Sequence, residues 1–148
     1  MPSQTNSLST GLRTFALMTA ATLTLAALPR AAAEESLAYV VEVSDVTAKV
    51  GVHEVLHATL RIRDGYRILQ AYNNRIMELS SLDDGVAFDS PVVRATVEDG
   101  ALVFAVGLRP TKPGNHPING IFRVGYMQGA GDMSMVSLRL IASVTGIE

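Results

Sequence analysis

Three methionines near the C-terminus are the residues whose type and spacing most directly suggest chemistry. Met127, Met133 and Met135 fall within nine positions of one another, and thioether sulfur is a soft ligand that selects Cu(I). Together with one histidine, His116 or His57, they would supply the three or four ligands of a copper site. The structural alternative is that these methionines fill gaps at the rim of a core, a common use of the residue. The sequence therefore leaves two expectations open, a copper site and no cofactor at all.

The histidines alone offer little catalytic or metal-binding chemistry. His53 and His57 are four residues apart, and strand residues of the same parity share a face, so they would converge only on a strand that includes both. His116 lies between Asn115 and Pro117. We expect each histidine to face solvent.

Catalytic and calcium-binding patterns are missing from the sequence. Ser90 and Ser134 lack the Gly-x-Ser-x-Gly elbow of a hydrolase nucleophile, and no order of Ser, His and Asp suggests a triad. Asp83, Asp84 and Asp89 are close together but lack EF-hand spacing and its closing Glu, so we interpret them as a solvated turn. No catalytic residue is predicted, and a small hydrolase whose site the sequence hides is a third hypothesis.

The composition and the first residues limit the compartment and the class of protein. The 148-residue chain has a net charge of −2 and no cysteine, which excludes disulfides, thiolate metal sites and thiol nucleophiles. Residues 1–33 have a polar start, an apolar run and a small-residue end, the pattern of a cleaved secretory signal. The apolar run is too short for a spanning helix, which needs about 20 residues. We expect a periplasmic or secreted protein without a membrane span, with one domain over residues 34–148.

The basic residues of that domain are spread singly along the sequence. Nucleic-acid binding needs a basic patch that displaces counterions from phosphates. No such patch is visible in the sequence, which predicts no nucleic-acid partner. The residues concerned are Lys49, Arg61, Arg63, Arg67, Arg75, Arg94, Arg109, Lys112, Arg123 and Arg139.

Short β-strands are the elements that would position these side chains. Residues 56–63 alternate apolar and polar, as a half-buried antiparallel strand requires. Asp-Gly steps at residues 64–65 and 99–100 signal tight turns, the second between strands at residues 92–98 and 101–106. No capped helical stripe follows position 34. The predicted fold class is therefore all-β, an immunoglobulin-like antiparallel β-sandwich.

Two loops complete the predicted scaffold. Residues 109–117 contain three prolines and a glycine, which indicates an irregular crossing loop. Residues 128–135 form the predicted loop between the last two strands, residues 121–127 and 136–144. We take this second loop as the candidate functional site and the rest of the chain as its scaffold, because the methionines lie on and beside it.

Two segments of the chain resemble a known family. Residues 56–66, Leu-His-Ala-Thr-Leu-Arg-Ile-Arg-Asp-Gly-Tyr, and residues 125–132, Gly-Tyr-Met-Gln-Gly-Ala-Gly-Asp, resemble the N-terminal periplasmic domain of DsbD-type thiol:disulfide interchange proteins. The resemblance implies an immunoglobulin-like sandwich whose loop between the last two strands docks thioredoxin-like proteins. That family has two cysteines on the loop, whereas this chain has Gly129 or Ala130 and Met135. Its redox activity is therefore not expected here.

The function expected from these observations is an exported, non-enzymatic domain that docks a periplasmic protein. Aromatic residues and methionine are enriched in the cores of protein contacts. The alternative for the tyrosines is that each ring packs on the core with its hydroxyl at the surface. The alternative function is a periplasmic copper-binding protein that uses Met127, Met133, Met135 and His116. The predicted partner-binding residues are Tyr66, Tyr126, Met127, Gln128 and Asp132.

Overall fold

The chain folds entirely into β-strands over the residues described by this computed structural model, which are 34–36 and 38–148. Within those residues no helix is present, and none therefore has the length and apolar character to cross a membrane. The predicted secretory signal, residues 1–33, lies outside the described residues. The strands are β1 (Glu34–Glu35), β2 (Tyr39–Val43), β3 (Val46–Lys49), β4 (Glu54–Ile62), β5 (Tyr66–Ile68), β6 (Arg75–Ser81), β7 (Val86–Phe88), β8 (Val93–Arg94), β9 (Thr96–Glu98), β10 (Ala101–Pro110), β11 (Gly114–Gln128) and β12 (Asp132–Ile147).

These strands form two sheets. The first sheet has the order β1-β2-β4-β10-β7, with β9 also paired to β10. The second sheet has the order β3-β12-β11-β6-β8, with β5 also paired to β11. The pairings within both sheets are antiparallel, except that β3 runs parallel to β12.

The core lies between the two sheets. Phe104 of β10 and Phe122 of β11 are fully buried, and their rings meet edge to face with centroids 5.2 Å apart. Such an arrangement suits the ring quadrupoles and adds to the burial of apolar area. Leu56 and Leu60 of β4 and Leu140 of β12 belong to the same buried cluster. The predicted all-β, immunoglobulin-like sandwich architecture is thus confirmed.

Two local predictions are confirmed with one change of detail. Along β4, Leu56, Ala58 and Leu60 are buried while the intervening residues are more exposed. Asp99 and Gly100 both have positive φ, 47° and 74°, as a two-residue type I′ turn requires, and they join β9 to β10. The strand predicted at residues 92–98 is split, because β8 pairs in the second sheet and β9 in the first.

Both predicted loops are wrong in extent. β10 continues to Pro110 and β11 begins at Gly114, so the crossing between the sheets is only residues 111–113. The prolines misled the prediction because Pro110 and Pro117 lie within strands, where proline is tolerated if no ladder bond needs its missing N–H. At the other end, β11 and β12 pair as far as Gln128 opposite Asp132, so the turn is only residues 129–131.

Candidate functional site

The second sheet has one face toward the core and one toward solvent, here called the outer face. In β12, Leu138 and Leu140 point inward and are buried, so the residues of odd number point outward. In β11, Phe122 and Val124 point inward, which likewise directs Arg123 and Met127 to the outer face. This alternation decides which of the predicted side chains lie together.

The structure brings the three C-terminal methionines together on the outer face. Met127 is directly opposite Met133 across the hairpin, and Met135 is two residues farther along β12, opposite Gly125. Met133 is 64% and Met135 68% exposed. The ring of Tyr72 covers Gly125, where an added Cβ would lie 2.8 Å from its Cγ. We call Met127, Met133, Met135 and Tyr72 the methionine patch.

Neither predicted histidine joins the methionine patch. His116 is on the same strand as Met127 but eleven residues away, which is about 37 Å at the rise of a β-strand. His57 lies in β4 and faces outward from the other sheet. The predicted ligand set of Met127, Met133, Met135 and His116 is therefore not assembled. In the part of the chain that the structure describes, no three His, Cys, Asp or Glu residues are grouped as metal ligands either.

The predicted partner-binding residues are divided between two faces. The ring centroid of Tyr126 is 5.9 Å from those of both Tyr39 and Tyr66, and Tyr66 and Tyr126 pack against the buried core. These two tyrosines thus close the hairpin end of the core from the inside, while Met127 points outward. Gln128 and Asp132 are exposed and paired at the tip, on the same side as Tyr126 by parity.

His116 is buried, so the expectation that it faces solvent is wrong. Because β11 begins at Gly114, His116 has the same inward parity as Ile118, and it is only 5% exposed. Its Nδ1 lies 2.7 Å from Oδ2 of Asp83, and its Nε2 lies 2.8 Å from the carbonyl oxygen of Lys112. The ring lies directly against Gly85, where an added Cβ would overlap Nδ1.

The pair of His116 and Asp83 has strongly perturbed protonation. The hydrogen bond to Asp83, followed by that to the Lys112 carbonyl, raises the pKa of His116 above its usual 6.5. The same bond, with backbone and side-chain donors from Gly85 and Ser81, lowers the pKa of Asp83 from 3.8 to about 2. Both shifts favour the ion pair. With His116 covered and both its nitrogens engaged, the pair is arranged to hold two turns together.

A second histidine pair lies at the surface. His53 precedes β4, and its Nε2 is 2.7 Å from Oδ2 of Asp89, whose Oδ1 is 3.9 Å from a guanidinium nitrogen of Arg109. His53 and Asp89 are both about half exposed. His53 is bound to Asp89 and lies outside β4, the strand that carries His57. The two histidines therefore do not share one strand face, which their spacing of four residues would have required for a joint site.

The fold also assembles a basic cluster that the sequence prediction missed. Arg75 of β6 is directly opposite Arg123 of β11 on one side and Arg94 of β8 on the other. We call these three residues the arginine ladder. The basic residues are spread singly along the sequence, but three of them lie side by side in the folded chain because they belong to adjacent strands. Only the pairing register reveals the ladder, and that register is not visible in the sequence.

Two further arginines extend the basic character of the outer face. Arg67 of β5 is opposite Met127, and Arg139 of β12 is opposite Ile121. Arg139 also lines a shallow hollow of about 340 Å³ together with Glu78. The hollow lies where the pairing of β6 with β11 shifts by a bulge, and Glu78 there has a φ of 57°, which is unusual for a residue with a Cβ.

Comparisons with known proteins identify no family. No family model matches the chain, and no curated protein matches it. Among solved structures, the chain is similar to the ASH/PapD-like domain of human CEP192 (PapD-like domain 7), with 14% identity and a TM-score of 0.34 over 73% of this chain and 85% of that one. This distant match assigns no function.

Proposed function

We propose that this protein is an exported, non-enzymatic binding domain that docks a protein partner through the hairpin end of its second sheet. The observation that supports the proposal is the methionine patch, in which Met133 and Met135 are about two-thirds exposed beside Met127. Methionine is flexible and polarisable, and it is used at surfaces that adapt to a partner. An exposed group of such side chains on one face is an expected feature of an interaction site.

The geometry changes the roles of the residues first expected to bind. Met127, Met133 and Met135 form the centre of the proposed contact. Gln128 and Asp132 lie beside it at the hairpin tip, with their side chains on the side of Tyr126. Tyr66 and Tyr126 support the hairpin from the core side. The proposal keeps the docking role that the resemblance to DsbD-type domains implies, without their redox chemistry.

The experiment that tests docking is affinity capture from periplasmic extract with matched variants. A Met133→Ser/Met135→Ser variant removes the exposed apolar surface of the patch. Val97→Ser is the control, because Val97 is an exposed apolar residue on β9 of the other sheet. We expect proteins captured by the wild type and by Val97→Ser to be lost from the methionine variant. A captured partner, once purified, should bind that variant at least tenfold more weakly.

The opposite result has a clear form. If all three proteins capture the same set of partners with the same affinity, docking through the methionine patch is excluded. Thermal unfolding of each variant serves as the folding control, because both substitutions replace exposed side chains.

A second candidate function is Cu(I) binding by the methionines alone. The direct opposition of Met127 and Met133, with Met135 on the same face, is the observation that favours it, since thioether ligands suit Cu(I). Titration with Cu(I) against a competing chelator decides the matter. Wild-type binding no tighter than that of a Met133→Leu/Met135→Leu variant would remove this candidate.

A further inference from the structure

The arginine ladder sets three like charges side by side on an exposed sheet face. Neighbouring strands are about 4.8 Å apart, so the Cα atoms of Arg94, Arg75 and Arg123 span about 10 Å across β8, β6 and β11. Side chains directly opposite each other point to the same side of the sheet, and like charges in such positions are unfavourable. A bound anion would therefore stabilise this arrangement of the three arginines.

No carboxylate of the described residues neutralises the ladder. The carboxylates of Asp83 and Asp89 pair with His116 and with His53 and Arg109, away from the ladder. No carboxylate of the described residues is paired with Arg75, Arg94 or Arg123. A guanidinium nitrogen of Arg75 donates to the carbonyl oxygen of Asn73 at 2.8 Å, which orients the side chain but leaves its charge unpaired. A bound anion would supply the missing partner.

Basic residues outnumber acidic ones on the outer face of the second sheet. The chain as a whole has a net charge of −2, yet the outer face of the second sheet carries Arg67 and Arg139 in addition to the ladder. The acidic residue described on this face is Glu78, which lies in the hollow beside Arg139. The first sheet has charges of both signs, with Glu42 and Glu54 exposed as well as Arg61 and Arg109. A face with an excess of positive charge steers and orients a partner of opposite charge.

The ladder and the methionine patch form one continuous surface. Arg123 is opposite Ser137, and Met135 is two residues from Ser137 on the same face, so Arg123 and Met135 are diagonal neighbours, about 7–8 Å apart. A polyphosphate or sulfated sugar chain would satisfy the arginines but would leave the methionines exposed. A peptide with both acidic and apolar side chains would cover both.

We infer that the outer face of the second sheet binds an extended acidic segment of a partner protein, whose carboxylates pair with Arg94, Arg75 and Arg123 while its apolar side chains cover the methionine patch. This inference rests on the proposed function and adds the partner's chemistry. The guanidinium fork matches a carboxylate in a two-point hydrogen bond. Alternate side chains of an extended peptide are about 7 Å apart, so two successive carboxylates fit within the span of about 10 Å that the ladder covers.

The test uses a synthetic probe and the purified chain. The probe is a fluorescein-labelled peptide of about ten residues with Glu at alternate positions between Leu and Ser, and its control has Gln in place of Glu. By fluorescence anisotropy at low salt, we expect the Glu peptide to bind at least tenfold more tightly than the Gln peptide. The difference should shrink at high salt, because exposed charges are screened.

Matched variants locate the effect. Arg75→Gln/Arg123→Gln should lose at least tenfold in affinity for the Glu peptide and bind the Gln peptide unchanged. Lys49→Gln/Arg61→Gln removes the same charge away from the ladder. At about 0.1 M salt, where charges more than about 10 Å apart are largely screened, it should bind the Glu peptide within about twofold of wild type. Met133→Ser/Met135→Ser should weaken both peptides equally.

Four outcomes would overturn the inference. The first is equal affinity of the wild type for the Glu and Gln peptides, or no binding of either. The second is loss of binding in the methionine variant alone, which would leave the proposed docking function standing without acid recognition. The third is binding of heparin or an oligonucleotide that is tighter than that of the Glu peptide and is lost in Arg75→Gln/Arg123→Gln. The fourth is a ladder-dependent doubling of mass by light scattering, which would make a second copy of the chain the occupant.

Discussion

His116 and Asp83 form a hydrogen bond of 2.7 Å between Nδ1 and Oδ2, while the other ring nitrogen of His116 faces the Lys112 carbonyl at 2.8 Å. Both neighbours are acceptors, so the surroundings favour the imidazolium form, in which both ring nitrogens donate, and they raise the pKa of His116. A neutral ring would leave one acceptor without its donor. The bonds connect the turn between β6 and β7 to the crossing between β10 and β11.

The free energy of unfolding should fall as the pH rises through the raised pKa of His116. The folded state holds this proton more tightly than the unfolded chain, in which the ring titrates near 6.5. The contribution is therefore complete below about pH 6.5 and lost above the folded pKa. Asp83 behaves oppositely, because its pKa falls from 3.8 to about 2. Its contribution is complete above about pH 4 and is lost as the pH falls toward 2.

Urea unfolding over a pH series measures both limbs of this profile. His116→Gln should be less stable than wild type by about 1–3 kcal/mol near neutral pH, because the buried ring is lost together with its charged hydrogen bonds to Asp83 and the Lys112 carbonyl. Its profile should also be flatter. His57→Gln is the control, since His57 is exposed on β4. Parallel pH profiles for wild type and His116→Gln would contradict the role given to the ring.

Gly85→Ala should destabilise the fold by displacing the ring of His116. A Cβ at this position would overlap the Nδ1 and Cγ atoms of the buried His116 ring. The ring cannot move away without breaking its bonds to Asp83 and to the Lys112 carbonyl. Overpacking of this kind costs about 1–3 kcal/mol. Thermal and urea unfolding provide the measurement. Gly131→Ala is the matched control, because nothing lies within 4 Å of its added Cβ, and equal stability of the two variants would refute the argument.

Tyr126→Ala should destabilise the protein much more than Met135→Ala. The Tyr126 ring packs between Tyr39 and Tyr66 against the core, and its truncation should cost about 2–4 kcal/mol. The Met135 side chain is exposed, so its loss should change stability by at most about 0.5 kcal/mol. Urea unfolding of both variants makes the comparison. A small effect at Tyr126 would return that residue to the surface as a docking candidate.

Arg123→Glu should stabilise the fold by about 0.2–1 kcal/mol at low salt, because it replaces a repulsive cross-strand pair with an attractive one opposite Arg75. The gain should decrease as salt is added. Arg61→Glu should show no gain, since its cross-strand partners are the uncharged Val40 and Ala101. If both substitutions had the same effect, whole-molecule charge rather than the ladder would explain it.

The features that the sequence predicted correctly are local ones. The alternation along β4 and the Asp99-Gly100 turn depend on side-chain period and on backbone freedom within a few residues. His116 was misjudged because β11 runs through Pro117, so a strand was interpreted as a loop. The arginine ladder was missed because it depends on strands far apart in the chain coming into register.

The parallel pairing of β3 with β12 sets the order in which this molecule can be completed. Asp45, just before β3, accepts a hydrogen bond from the backbone of Ser143, 98 residues later. β3 can therefore pair only after β12 has been made, and contacts between residues so far apart in the sequence slow folding. During synthesis the second sheet lacks its longest strand until β12 has left the ribosome, so this sheet stays open until then.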